Sequence, residues 1–199
     1  MGTFHMECKD IVLREYAIGD LDALYVLTQE PEIMAFLPDW NVPKDTRREW
    51  MNRFEIPENR KFLQAVQEGG RIGELRLRLG IHSKTTGEFI GWCCTGMKEE
   101  LSPPIREMVY AVSPLHRKKG YAAQAVQGLI RFLFDHTDTA ELCALALPHN
   151  KASLRVIEKC GFVFWDTVEI GRETYNYYKL GKTGGTPGAG TIGGREIEP

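Results

Sequence analysis

No apolar run in this chain approaches the roughly 18 residues that a membrane-spanning helix needs, so no membrane partner is expected. Charge of one sign is equally scarce. The 25 Lys and Arg nearly balance 27 Asp and Glu, for a formal net charge of −2, which removes the basic footprint of a nucleic-acid binder. Cysteine is sparse and unpatterned. Cys8, Cys93, Cys94, Cys143 and Cys160 are odd in number, and no pair has Cys-x-x-Cys spacing. They read as small buried hydrophobes in a reducing, cytoplasmic compartment. A catalytic thiol is the alternative, with no supporting neighbour in sequence. His-x-x-x-His and His/Cys clusters are absent, so no metal is expected, and no Gly-x-Ser-x-Gly elbow marks a serine hydrolase. Met1 to His5 lack the apolar core of a secretory signal, and Met6 stands where myristoylation needs Ser or Thr.

What is present is an ordinary globular composition, 43% hydrophobic and 26% charged over 199 residues. That length suits one domain, with or without a tail. The composition changes at Gly181. Gly181, Gly184, Gly185, Gly188, Gly190, Gly193 and Gly194 make the last segment too flexible to join a core. The expected organisation is a domain over 1–180 and a glycine-rich tail over 181–199. Gly181-Lys182-Thr183 does not form a nucleotide loop. Position 176 is Asn rather than Gly, and Gly184-Gly185-Thr186-Pro187 cannot start a helix.

The richest stretch is Tyr110-Ala111-Val112-Ser113-Pro114-Leu115-His116-Arg117-Lys118-Lys119-Gly120-Tyr121-Ala122. An apolar strand ends at Ser113-Pro114, and a basic loop with one Gly follows. Ala122, Val126, Leu129, Ile130 and Leu133 then recur with the spacing of one helix face. The first N–H groups of a helix lack intrahelical partners and carry the positive end of the macrodipole, so this turn is suited to hold a phosphate. Arg117, Lys118 and Lys119 add formal charge, and Gly120 lets the backbone approach the ligand.

A second signal lies downstream. Ala140 to Leu147 is nearly continuous in apolar residues, as in a strand buried on both faces. It leads to Asn150, a good N-cap, and a short helix closed by Gly161. Arg117-x-x-Gly120-x-Ala122, followed by Asn150-x-x-Ser153 and Glu158-Lys159-Cys160-Gly161-Phe162, resembles the GNAT superfamily of acyl-CoA-dependent N-acetyltransferases. The closing motif is similar to that of its ribosomal-protein alanine N-acetyltransferase (RimJ/RimL-like) branch. Lys118, where Gly is frequent, and Gln124, where Glu is frequent, depart from the pattern.

The resemblance implies acetyl-CoA as co-substrate and a primary amine as acceptor, either a peptide N-terminus or a small molecule. It implies that the backbone of Lys118 to Ala122 cradles the pyrophosphate and that Tyr110, Ala111 and Val112 bind the pantetheine arm. Glu107, on the strand before the loop, is the candidate general base, its pKa raised by partial desolvation. The other reading of Glu107 is an edge carboxylate paired with Arg106. Ser153 is the candidate donor to the leaving thiolate, or simply a residue bonded at its helix end; Asn150 likewise either contacts CoA or only caps. His116 is expected on the solvated loop. An acceptor pocket is expected from Tyr25, Met34, Phe36, Trp40, Tyr175 and Tyr177, residues that equally suit core packing. The reading also admits a homodimer. Two rivals stand beside it: a non-catalytic acyl-CoA-binding regulatory module, and a nucleotide-binding protein, the latter opposed by the absence of Gly-x-Gly-x-x-Gly.

The remaining pattern supplies the architecture. Ile11 to Glu15 is a strand. Helices follow from Asp20, taken as N-cap, from Pro31, and from Asp45 until an interruption near Pro57. Glu74 to Ser83 and Glu88 to Met97 form a hairpin, Arg106 to Val112 a further strand, and Phe162 to Ile170 with Glu173 to Leu180 a final hairpin. This α+β order matches the fold that the resemblance implies, a mixed, mostly antiparallel sheet of about seven strands flanked by helices.

Overall fold

The structure, a computed structural model, describes residues 4–182. Residues 183–199, nearly all of the expected tail, lie outside the described residues, as do residues 1–3. Among the described residues eight strands form one sheet: β1 (His5–Glu7), β2 (Ile11–Glu15), β3 (Leu77–Ser83), β4 (Phe89–Lys98), β5 (Ile105–Val112), β6 (Glu141–Ala146), β7 (Val163–Ile170) and β8 (Glu173–Gly181). Their order is β1-β2-β3-β4-β5-β6-β8-β7. Every neighbouring pair is antiparallel except β5 and β6. The strand beyond the expected seven is β1, a three-residue edge too short to show alternation. β8 runs one residue into the glycine-rich segment, where Gly181 pairs with Glu141.

Alternation along the strands separates two cores. On one face Ile11, Leu13, Leu77, Leu79, Ile81, Met108, Val112, Leu142 and Ala144 pack under α5 (Tyr121–His136) and α6 (Lys151–Lys159). Helix α5 meets them with Ala125, Val126, Leu129, Ile130 and Leu133, close to the face its periodicity predicts. On the other face Trp92, Cys94 and Ala111 pack under α1 (Leu21–Thr28), α2 (Pro31–Met34) and α3 (Lys44–Trp50). Trp40 stacks on Trp92 with centroids 4.7 Å apart, and Arg47 lies over Trp40.

Two local expectations are corrected. Asp20 does not cap the helix that follows. Its carboxylate accepts the Ala17 N–H at 2.8 Å and pairs with Arg14 at 2.6 Å, closing the turn before the helix. Pro57 does not interrupt its helix either. Helix α3 passes through one π-helical segment, Met51–Glu55, straight into α4 (Ile56–Gln67). Pro57 falls in the first turn of α4, where the regular ladder has already been broken and no N–H is missed.

Helix α4 also completes the sheet. β2 pairs with β3 only as far as Glu15 and Leu79, which leaves the Arg78 peptide groups without a strand partner on that side. Fully buried Asn59 replaces the strand: its amide donates to Arg78 O and its carbonyl accepts the Arg78 N–H, both at 2.8 Å. Asn59→Ala leaves both groups unpaired. It is expected to destabilise the fold by about 3 kcal/mol, read as a lower urea midpoint at unchanged m-value.

Candidate active site

The parallel strands β5 and β6 pair only at Arg106 with Leu142 and Glu107 with Cys143. From there to Val112 and Ala146 they run unpaired and leave a fork in the sheet. Three contacts fix which peptide groups face it. The Ser113 N–H donates to Ile90 O at 2.8 Å, the Thr95 hydroxyl donates to Glu107 O at 2.9 Å, and a Cβ on Gly91 would strike Ala111 O. The odd-numbered residues of β5 therefore bond to β4. The last rung with β6 takes the Met108 N–H, and Tyr110 and Val112 turn their N–H and C=O groups into the fork. Of the three residues expected to bind pantetheine, Tyr110 and Val112 offer backbone groups, whereas those of Ala111 are spent on β4.

At the open end of the fork lies the basic loop. A 3-10 turn at Pro114–His116 leads through Lys118, with φ of 63°, and Gly120, with φ of 78°, into α5. Left-handed residues in a turn before a helix gather successive N–H groups into a concavity that suits an anion. Lys118 occupies the left-handed position where the resembling family favours Gly, which accounts for that preference. Lys118 and Lys119 are exposed beside the concavity, while Tyr121 and Ala122 pack on the core. Arg117, expected to add charge there, is instead engaged by Glu32 of α2. His116 is not on a solvated loop: its side chain is 17% exposed and its Nε2 lies 3.5 Å from Glu88. Gln124 bridges to the turn between β1 and β2, accepting the Asp10 N–H at 2.9 Å and donating to the Asp10 carboxylate at 2.7 Å.

The loop after β6 supplies the other wall. Asn150 caps α6, its Oδ1 accepting the Ser153 N–H at 3.1 Å. The Ser153 Oγ lies 2.9 Å from the Tyr110 hydroxyl, which also donates to Ser153 O at 3.1 Å. This side-chain link across the fork was not legible in sequence, because it joins residues 43 positions apart. His149 packs on Phe36 with ring centroids 5.5 Å apart, so the segment after α2 touches the β6 loop while α2 holds the β5 loop through Glu32.

Glu107 sits where the fork begins. Its side chain shares a row with Gly96 on β4, Cys143 on β6 and Lys179 on β8. Burial pushes its carboxyl up to about 7, against the pull of Lys98 and Arg76. The pairing with Arg106 does not form, because adjacent strand residues point to opposite faces. Arg106 instead donates to Leu75 O at 2.9 Å and Gly73 O at 2.6 Å. Cys143, the thiol beside Glu107, is pushed well up first by burial and then by the Glu107 charge, so it is no thiolate nucleophile. The five cysteines are all free.

A cavity of about 680 Å³ opens next to this row, at the N-terminal ends of β5 and β6 and away from the basic loop. Leu101, Ile105, Trp165, Val168, Tyr177 and Lys179 line it. The Lys179 ammonium lies 4.6 Å from the Trp165 ring and is paired with Glu141 at 3.1 Å. Of the residues expected to shape an acceptor pocket, only Tyr177 lines this cavity. Trp40 is stacked on Trp92, Phe36 packs on His149, Tyr25 lies under Lys44 at 5.9 Å, Met34 meets Asn41, and Tyr175 pairs with Val168. Among the described residues no group of three or more His, Cys, Asp or Glu could hold a metal ion, and no helix is long and apolar enough to cross a membrane.

A forked sheet, a left-handed basic turn at its open end and a buried carboxyl at its head suit an acyl-CoA-dependent transferase. Residues 10–163 match the family model for the acetyltransferase (GNAT) domain, and the chain belongs to that family, whose members draw on acetyl-CoA. The chain is 23% identical over 182 residues to the N-acetyltransferase YnaD of Bacillus subtilis (strain 168), itself uncharacterized, covering 87% of this chain and 94% of the relative. Its fold is similar to that of the aminoglycoside acetyltransferase AAC(6')-Ib in complex with coenzyme A, with a TM-score of 0.67 and 19% identity over 87% of this chain and 96% of that one. It is also similar to RimL, a ribosomal α-N-protein acetyltransferase in complex with coenzyme A, with a TM-score of 0.69 and 15% identity over 89% and 98% of the two chains.

The left-handed turn is open to test at Gly120, where a Cβ would meet no atom within 4 Å and only backbone strain opposes it. Gly120→Ala is expected to lower stability by about 1–2 kcal/mol and to weaken CoA binding, read by urea unfolding and titration calorimetry.

Proposed function

We propose that the chain moves the acetyl group of acetyl-CoA to a primary amine by direct attack in a ternary complex, with Glu107 as general base and Ser153 as the hydroxyl that meets the departing sulfur. The observation that carries this reading is Glu107, a carboxyl held near neutrality at the head of the fork. The residues present suit the co-substrate. The turn from Lys118 to Ala122 offers N–H groups and positive charge to the pyrophosphate, and Asn150 caps α6 on the β6 side of the fork. The peptide groups of Tyr110 and Val112 offer the pantetheine arm a strand-like partner.

The chemistry balances without a covalent intermediate. The amine nitrogen bonds to the carbonyl carbon, its proton passes to the Glu107 carboxylate directly or through one water, and the carbon–sulfur bond breaks with its electron pair on sulfur. A simple thiol ionises near about 8.5, so the departing thiolate needs a hydrogen bond rather than a strong acid, and a serine hydroxyl suffices. The proton on Glu107 then returns to solvent.

The cavity lined by Ile105, Tyr177 and Lys179, next to the row that holds Glu107, supports an approach for the amine and suits a small amine or the first residue of a peptide. A fold shared with an aminoglycoside acetyltransferase and a ribosomal α-N-protein acetyltransferase supports both classes. Five unpaired thiols support a reducing, cytoplasmic setting.

Turnover is read by thiol release against a panel of primary amines and N-terminal peptides. In the wild type kcat/KM rises with pH through about 7 and levels off above it, because only the Glu107 carboxylate accepts the proton. Glu107→Gln is expected to lower kcat about a hundredfold, to leave acetyl-CoA affinity unchanged and to abolish that pH dependence. An indifferent response to Glu107→Gln supports the non-catalytic acyl-CoA-binding module instead.

The same carboxyl makes a stability prediction with a definite sign. Its folded pKa, about 7, lies above the ordinary 4.5, so the folded state holds this proton more tightly and native stability falls as pH rises between those values. Glu107→Gln, neutral throughout, is therefore expected to melt higher than wild type above pH 7 and level with it below about pH 4.5, read by thermal unfolding across pH.

A further inference from the structure

Ser153 cannot aim its own hydroxyl. A serine Oγ rotates freely unless something holds it, and the cap at Asn150 engages only the Ser153 backbone N–H. The group that does hold it comes from the opposite side of the fork. Tyr110 lies three residues beyond Glu107 on β5, about 10 Å along the strand. Its peptide groups face the fork, and its side chain lies on the helix-covered face. There its hydroxyl has two partners on one residue, the Ser153 backbone O at 3.1 Å and the Ser153 Oγ at 2.9 Å.

We propose that Tyr110 is a positioning residue for the leaving-group step, its phenol orienting the Ser153 hydroxyl toward the CoA sulfur. The inference rests on the reading of Ser153 given above. A phenol has one proton and here two acceptors within reach. While its O–H donates to Ser153 O, the phenol oxygen accepts the Ser153 O–H and parks it. When a thiolate forms in the fork, the phenol proton turns to Ser153 Oγ, and the serine proton is free to donate to sulfur. No heavy atom needs to move. A donor that itself accepts a hydrogen bond is the stronger donor, so the pair stabilises the thiolate more than a lone serine does. Both oxygens keep their protons throughout and no bond to carbon or sulfur changes. The phenol stays neutral, because burial pushes its ionisation far up; the thiols beside it, Cys93 and Cys160, are pushed up in the same way.

The test uses CoA bound to the full-length protein and requires no knowledge of the acceptor. The ionisation of the bound CoA thiol is followed by thiolate ultraviolet absorbance against pH in the wild type, Tyr110→Phe, Ser153→Ala and the double variant. CoA Kd is measured at about pH 6, where the thiol is protonated. Tyr110→Phe is expected to raise the bound thiol's pKa by about one pH unit. Ser153→Ala should raise it at least as far, and the double variant no further than Ser153→Ala, since Tyr110 acts through Ser153. If Tyr110→Phe leaves the thiol at its wild-type value while Ser153→Ala shifts it, the positioning role is overturned and the Ser153 reading stands. If neither variant shifts it, both fall. Should Tyr110→Phe not fold, 3-fluorotyrosine at position 110 keeps the hydroxyl and makes it a stronger donor. The thiol pKa should then drop, and an unchanged value overturns the inference.

Discussion

Everything functional in this protein depends on two parallel strands that stop pairing. Arg106 and Glu107 are in register with Leu142 and Cys143 of β6, and the strands diverge beyond them. A sheet with an interrupted ladder leaves N–H and C=O groups that need partners, and an extended ligand lying in the gap can supply them as a missing strand would. The same divergence separates the loops at the strand ends, so that a left-handed turn rich in lysine forms one wall and a capped helix the other. The rest of the chain holds this arrangement open: α5 and α6 from one face, α1 to α3 from the other, with β8 and β7 extending the sheet beyond β6.

The position of Glu107 follows from the same geometry. Alternation sends Arg106 to one face and Glu107 to the other. The arginine is satisfied by two backbone carbonyls, and among the described residues the carboxylate has no ion pair. Lys98 and Arg76 act on it only through space, and burial outweighs them. A carboxyl placed this way loses some stability when ionised and gains a pKa suited to accepting a proton near neutrality. The Cys143 thiol beside it is suppressed by the same burial and by the Glu107 charge.

Much of this was legible in the linear chain. The alternation of Leu77, Leu79 and Ile81, the apolar run through β6 and the spacing along α5 depend on local periodicity, which burial on one or both faces imposes directly. The cap at Asn150 and the left-handed stop at Gly161 are one-residue rules. The place of Glu107 on a strand running into a turn was legible for the same reason. Other features were not. Arg117 and His116 look solvated in sequence and are engaged by Glu32 and Glu88, residues 85 and 28 positions away. Of the side chains expected around the acceptor, Tyr25, Met34, Phe36, Trp40 and Tyr175 are half-buried and only Tyr177 is buried, and which neighbours each meets depends on contacts between distant elements. Helix α4 continued through a proline because a π-helical turn absorbed it, and no composition signal announces such a turn.

The sequence alone determined most of the elements, their order, the basic left-handed turn before α5 and the cap of α6, since each rests on interactions within a few residues. Tertiary structure decided the fork, which peptide groups line it, the row from Gly96 through Glu107 and Cys143 to Lys179, and the bond between Tyr110 and Ser153. These depend on strand register and on which side chains meet across the sheet. Such contacts join distant positions through loops whose paths no local pattern encodes.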